Sequence, residues 1–180
     1  MAFEYPDFVQ RVLLDSEALR RPLPSDPVRP EMIIRIREAL DDEVLPQSGL
    51  RNLDLLPLLR GGLFYFQDGL TDAIRLADGV SGPLADYWRA MIFRRMGEFD
   101  VARQFGRRAG ELPPFQLMTR MVADDSANMA KQSNWDSYLL VQLYEQFRFG
   151  ATDLEEELRR LQRVEFEQNF RFTFRQATGE

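Results

Sequence analysis

The sequence predicts an all-α fold of seven to eight helices arranged as antiparallel hairpins. Apolar residues recur at helical spacing along most of the chain, and no segment shows the alternation that indicates a strand. Clusters of glycine, proline and serine interrupt this pattern where helices are expected to end. Because 180 residues suffice for one hydrophobic core, we predict a single helical domain over residues 1–180.

The N-terminal region, residues 1–30, is predicted to contain one helix and a proline-rich connector. Apolar residues at helical spacing predict the helix over Pro6–Arg20. Residues 21–30 contain four prolines, which lack the backbone donor that a helix requires. A second helix is predicted over Pro30–Leu40, since proline is well tolerated in a first helical turn.

The segment Leu53–Gly79 carries too many apolar residues for one narrow helix face. This density predicts two helices that are mostly buried. The pair Gly61-Gly62 has two interpretations at this point. The glycines either allow another helix to approach closely or mark a break between helices.

A helical hairpin is predicted from Leu84–Arg95 and Phe99–Arg108, which are separated by a short turn. The wider segment Tyr87–Pro114 resembles one tetratricopeptide repeat, because small Ala90 and Ala102 stand where the two helices must approach closely. The spacing to the preceding segment does not support a second full unit. We therefore predict a repeat-like fold rather than a repeat array.

Three more helices are predicted in the C-terminal part of the chain. They cover Phe115–Lys131, Trp135–Phe149 and a final segment that begins after Thr152. Thr152 and Glu155 have the spacing of a capping box. Acidic residues fill the first turns of the last helix and arginines follow, a polarity that complements the helix dipole.

The composition excludes several kinds of chemistry. The chain has no cysteine and no histidine, so zinc sites built from these residues and histidine-dependent nucleophiles are excluded. The net charge of −6 provides no basic excess, and we expect no nucleic-acid partner. No apolar run is long enough to span a membrane, and residues 1–10 lack a signal-peptide pattern. We expect a cytoplasmic protein without cofactors or metal.

Residues 50–175 also resemble a family of bacterial all-helical proteins to which no biochemical activity is attached. The resemblance implies a fold and no reaction. Family members tend to carry histidine at four positions that hold other residues in this chain, so this chain resembles a divergent member of the family. Either those histidines formed a site that this chain has lost, or they were structural. The resemblance rests on the following segments, of which the second is the most specific: Gly62–Asp68, Tyr87–Gly110, Trp135–Glu145 and Gln162–Phe170; the four positions are Ile74, Arg89, Phe93 and Leu112.

Two sets of charged residues are candidates for a binding site. Asp68 and Asp72 are four positions apart, so both carboxylates would share one helix face and could bind a hard cation. Arg94 and Arg95 lie on the hairpin, where they could face a groove and bind an anion or an acidic peptide. The alternative for each set is a group of solvated surface charges, which contribute little to stability.

Three neighbouring residues complete the candidate site. Tyr87 and Trp88 could form a pocket wall, although aromatic residues at helical spacing more often belong to a core. Arg89 is the third of these candidates, and its basic side chain could bind a small ligand.

Three functions follow from these observations. The first is a helical protein-interaction module without catalytic activity, which suits the hairpin and the missing catalytic groups. The second is a small-molecule or anion-binding protein, or an enzyme, that uses carboxylates and arginines. The third is a homo-oligomeric structural protein, suggested by 14 phenylalanines and the aromatic segment Phe166–Phe174. In that segment Phe166 and Phe170 share a helix face, which either Phe172 or Phe174 must leave.

Overall fold

The computed structural model describes residues 5–15, 18–23, 29–46, 52–116, 118 and 137–179. These residues form helices and no strand, which confirms the predicted all-α class. Eight of the helices have seven residues or more, in agreement with the predicted number. None of the helices in these ranges is long and apolar enough to cross a membrane. The helices with described bounds are α1 (Asp7–Leu13), α2 (Pro30–Glu38), α3 (Asp41–Val44), α4 (Leu56–Phe66), α5 (Leu70–Asp78), α6 (Pro83–Met96), α7 (Phe99–Ala109), α8 (Ser137–Arg148) and α9 (Glu155–Thr178). Residues 114–116 and 118 are also helical.

The predicted hairpin is formed by α6 and α7, which pack closely along their lengths. Ala90 on α6 and Ala102 on α7 are both buried. Gly97 follows α6 with a φ of +81°, a left-handed conformation that glycine adopts without strain. The N–H of Glu98 donates to the carbonyl of Phe93, which closes α6 with the bonding pattern of a Schellman motif.

Gly61 and Gly62 lie inside α4, so the close-approach interpretation is confirmed and no break occurs there. A Cβ at Gly61 would lie 3.3 Å from the carbonyl oxygen of Ala73 on α5. A Cβ at Gly62 would lie 2.8 Å from the Phe170 ring on α9 and 3.0 Å from the Trp88 ring on α6. The two glycines therefore let α4 pack directly against three other helices.

The long helix α9 spans 24 residues and carries much of the core. Phe166, Phe170 and Phe174 are buried, whereas Phe172 is the phenylalanine that leaves the shared face. The predicted capping box at Thr152 is wrong. A short 3-10 turn over Thr152–Leu154 precedes α9, so the cap position falls on Leu154 and no side chain caps the helix.

The N-terminal region differs from the prediction in its helix lengths. The first helix ends at Leu13 rather than at Arg20, and Leu19 has a φ of +56°. The second helix begins at Pro30 as predicted but ends at Glu38, before the short α3. Most of Phe115–Lys131, the start of Trp135–Phe149 and residues 24–28 of the connector lie outside the described residues.

Candidate functional site

The hairpin residue Arg94 lies in the interior of the protein, where it forms an ion pair with Glu165 of α9. The two side chains are 1% and 0% exposed. Nη1 of Arg94 donates to Oε1 of Glu165 at 3.1 Å, and Nη2 donates to Oε2. The hydroxyl of Tyr87 donates to the same Oε1 at 2.6 Å. Because Tyr87 and Arg94 are seven positions apart, they occupy one face of α6 and reach the same carboxylate.

The charge on Arg94 is retained in this environment. Burial by itself lowers the pKa of a guanidinium, but the adjacent Glu165 carboxylate raises the pKa of Arg94 above its ordinary value. The Arg94 guanidinium also lies 5.0 Å from the centre of the Tyr144 ring on α8. Arg94 therefore joins α6 to α8 and α9 through charged, hydrogen-bonded and aromatic contacts.

The neighbouring Arg95 is also buried and connects four parts of the chain. Its Nε donates to Oδ1 of Asp68 at 2.6 Å, and its Nη1 donates to Oε1 of Gln162 at 2.7 Å. The same Nη1 donates to the backbone carbonyls of Arg21 at 2.7 Å and Pro22 at 3.2 Å. Arg95 thus holds the N-terminal connector, the α4–α5 turn and α9 against the hairpin.

The groove-facing orientation predicted for Arg94 and Arg95 is wrong, and so is the alternative of two solvated arginines. The reason is that α9 packs onto this face of α6, which turns it into interior. A guanidinium in such a place needs a carboxylate partner, and the fold supplies Glu165 and Asp68. Neither arginine is accessible to an external anion in this arrangement.

The predicted pairing of Asp68 with Asp72 on one helix face is also wrong. Helix α4 ends at Phe66, so Asp68 lies in the turn before α5, with a φ of +61°. Asp72 belongs to the first turn of α5 and pairs with Arg37 at 2.7 Å and Arg75 at 2.5 Å. The two carboxylates are held by different arginines on different elements. Among the described residues no group of three or more acidic side chains could hold a metal ion.

The remaining candidates, Arg89 and Trp88, are buried as well. Nε of Arg89 lies 3.0 Å from Oδ1 of Asp78, and its Nη1 lies 2.8 Å from Oδ1 of Asp86. Nη2 of Arg89 donates to the carbonyl of Ala77 in the last turn of α5 and to the carbonyl of Val80, which follows α5. Nε1 of Trp88 donates to the hydroxyl of Thr173 at 3.0 Å. Both residues hold helices together, and a partner molecule has no direct access to them.

The four positions that the family resemblance associates with histidine do not form one cluster of described contacts. Arg89 and Phe93 share a face of α6, and both contact the Phe105 ring, at 5.6 Å in each case. Ile74 lies on α5 and Leu112 follows α7, and both are half-buried. A lost site at these positions stays a prediction.

The sequence did not predict two partners of the hairpin arginines, Glu165 and Gln162, which come from α9. Gln162, Glu165, Asn169 and Thr173 are all buried. They are three or four positions apart, which is the spacing of one helix face. Polar residues that recur at this spacing among the apolar residues of a helix face are the sequence signal that could have located the network.

Some buried polar atoms in this region have no hydrogen-bond partner within the described part of the chain. They include the Tyr65 hydroxyl, Nε of Arg94 and Nη2 of Arg95. Burial raises the pKa of Tyr65, with the nearby Tyr144 adding to the effect, so the phenol stays neutral. Each guanidinium here is neutralised by a carboxylate, and the arrangement acts as a set of links between helices.

Comparison with protein-family models, with curated proteins and with solved structures gives no match for this chain. No relative's activity therefore bears on these residues.

Proposed function

We propose that the protein is a helical protein-interaction module whose partner binds one end of the α6–α7 hairpin. The surface concerned, called here the hairpin-end surface, consists of Met96, Arg103, Tyr138, Arg148 and Phe149. Its residues come from the end of α6, from α7 and from α8 with the residue that follows it. The likeness of the hairpin to a tetratricopeptide repeat supports this proposal, since repeat-type folds commonly bind other proteins.

The observation that carries the proposal is the exposure of Phe149. This side chain is 85% exposed, and Met96 is 43% exposed. Nη1 of Arg148 donates to the carbonyl of Gly97 at 2.9 Å, and its guanidinium lies 5.7 Å from the Phe99 ring centre. These contacts hold the end of α8 beside the α6–α7 turn. Exposed apolar side chains brought together in this way are a feature of association sites.

The rest of the hairpin-end surface has the composition of a protein interface. The Arg103 guanidinium lies 5.4 Å from the Tyr138 ring centre and pairs with Asp100 at 2.9 Å and with Glu145. Tyr138, which is 45% exposed, lies near the start of α8, roughly 16 Å along the helix axis from its end, so the hairpin-end surface extends from the α6–α7 turn along α8. Tyrosine, arginine, phenylalanine and methionine are enriched in interfaces, where a few such residues provide most of the affinity.

The interior role of the hairpin arginines favours interaction over catalysis. The titratable side chains that were candidates for chemistry are engaged in ion pairs with other elements of the fold. What the hairpin offers to other molecules is its outer surface. Self-association stays a prediction, but the aromatic segment of α9 supports it less, because Phe166, Phe170 and Phe174 are buried in the core. The absence of a nucleic-acid partner and a cytoplasmic location also stay predictions.

A peptide selection tests the proposal and does not require the partner to be identified first. The immobilised protein is used to select from a random-peptide display library, and the affinities of enriched peptides are measured for the wild type and two variants. Phe149→Asp changes the hairpin-end surface. Leu40→Asp is the matched control, because Leu40 is 66% exposed and lies elsewhere, between α2 and α3.

We expect Phe149→Asp to weaken binding of the enriched peptides by about 30-fold, the effect of losing a hot spot worth about 2 kcal/mol. Leu40→Asp should leave the affinity unchanged. Both variants should unfold within about 0.5 kcal/mol of the wild type, because both side chains are exposed. Peptides that bind the wild type and Phe149→Asp equally well, or a selection that enriches none, would contradict the proposal. Sedimentation velocity on the same samples shows whether a second copy of the chain is the partner.

A further inference from the structure

A cleft of about 280 Å³ separates α1 from α9. Its floor consists of the aromatic rings of Phe66, Phe166 and Phe170. Tyr5, Leu13 and Leu14 line its walls. The volume is close to the lower end of the range for small-molecule sites, about 300–1,000 Å³, and the mostly apolar lining is typical of such sites.

The charged side chains of the cleft lie in a row along α9, and Gln10 of α1 is also part of the lining. Arg163, Glu167 and Arg171 are four positions apart, so they occupy one side of the helix above the aromatic floor. Arg171 and Glu167 both act on Tyr5. Burial raises the pKa of the Tyr5 hydroxyl, the hydrogen bond with Arg171 opposes that rise, and Glu167 adds to it. These three groups are therefore close neighbours.

Arg163 differs from Arg171 in its contacts. It is exposed, and it makes no hydrogen bond or ion pair within the ranges that the structure describes. The lining thus contains two guanidiniums and one carboxylate, and one guanidinium is available at the margin of an apolar surface. A ligand that complements this arrangement has an apolar body and one negative charge.

We infer that the cleft is a binding site for a small carboxylate with an unbranched alkyl chain. The chain would lie on the three phenylalanine rings, and the carboxylate would accept hydrogen bonds from Arg163. A cavity of about 150 Å³ accommodates benzene, so a cleft of this volume suits a ligand of about twelve non-hydrogen atoms. Decanoate has this size. This site uses other elements than the hairpin-end surface and does not depend on the proposed function.

Titration calorimetry with decanoate, below its micelle concentration, tests the inference on the full chain. The decyltrimethylammonium cation is the matched ligand, because it has the same alkyl chain and the opposite charge. Arg163→Gln removes the available charge. Arg159→Gln is the matched variant, since Arg159 is also exposed on α9 and does not line the cleft.

We expect decanoate to bind with a stoichiometry of one and to raise the melting temperature, because it binds only the folded protein. Arg163→Gln should weaken the binding about tenfold, whereas Arg159→Gln should not change it. Nuclear Overhauser effects between the alkyl chain and the Phe166 ring protons should place the ligand in the cleft. The inference is overturned if decanoate does not bind, if the cation binds as tightly, or if the two variants weaken binding equally.

Discussion

Asp68 shows how a single side chain is constrained in this interior. Its carboxyl group is buried beside Arg95, and its backbone has the left-handed conformation that a residue other than glycine seldom adopts. Burial raises the pKa of Asp68 above the ordinary value, and the Arg95 guanidinium only partly offsets this effect. The protonated carboxyl group is therefore favoured more strongly in the folded chain than in the unfolded chain.

This raised pKa predicts a pH dependence of stability with a definite sign. A carboxyl group whose pKa is raised by folding stabilises the fold fully below its unfolded pKa, and this contribution is lost as the pH rises through the folded pKa. The free energy of unfolding of the wild type, minus that of Asp68→Asn, should therefore fall as the pH rises from about 4. Urea titrations of both proteins at several pH values measure it. A difference that rises over the same range would show that the pKa is lowered instead.

At the residue scale, the sequence identified side chains that do belong to one network, but it predicted the wrong positions for them in the fold. Arg94, Arg95 and Asp68 are part of a network, but as interior links rather than as a ligand site. Their partners Glu165 and Gln162 are 71 and 67 positions away from the arginines that they bond. Helical periodicity identifies the face of each helix, but it carries no information about which distant helix covers that face.

Helix α4 illustrates how small residues set the distances between elements. Gly61 faces α5, and Gly62 faces both α6 and α9. Because neither glycine has a side chain, neighbouring helices can approach the α4 backbone closely at both positions and cover α4 on more than one side. This close packing fixes the positions of Trp88 and Phe170 relative to α4.

Gly62→Ala should lower the free energy of unfolding by about 1–3 kcal/mol, because the new methyl group would overlap the Phe170 and Trp88 rings. Gly79→Ala is the matched control. Gly79 has a φ of −75°, and a Cβ there would make only one ordinary contact, at 3.4 Å. The control should keep or slightly increase stability, by about 0.4–1 kcal/mol. Urea denaturation compares the variants, and a Gly62→Ala protein as stable as the wild type would contradict this packing.

At the element scale the hairpin was predictable and the N-terminal helix was not. The α6–α7 turn is encoded locally by Gly97 and the residues around it. The first helix ends early because the next residues make distant contacts. Asp15 accepts a hydrogen bond from Gln67 at 3.2 Å and lies 3.2 Å from Nε of Arg29. Such contacts outweigh the local helical pattern, and no short window of sequence contains them.

For the whole molecule, α9 is the element on which distant parts of the chain meet. Its side chains bond Tyr87, Arg94 and Arg95 of the hairpin. Gln162 donates to the carbonyl of Leu19, 143 positions earlier in the sequence. The class of fold could be predicted from periodicity, whereas this central role of α9 depends on contacts between residues that are remote in sequence.

The hairpin arginines form interior ion pairs that hold the fold together. The most direct measurement is a double-mutant cycle with Arg94→Met and Glu165→Leu, followed by urea denaturation. A Tyr87→Phe background removes the hydroxyl that also bonds Glu165. Each single substitution should lower the free energy of unfolding by about 3–5 kcal/mol, because it leaves a buried charge unpaired. The double variant should be more stable than either single variant, since no charge remains unpaired. The contrary result is that each single variant is as stable as its parent and that the two changes in free energy of unfolding add in the double variant. Arg94 would then not be a buried ion-pair partner and would be open to an external ligand.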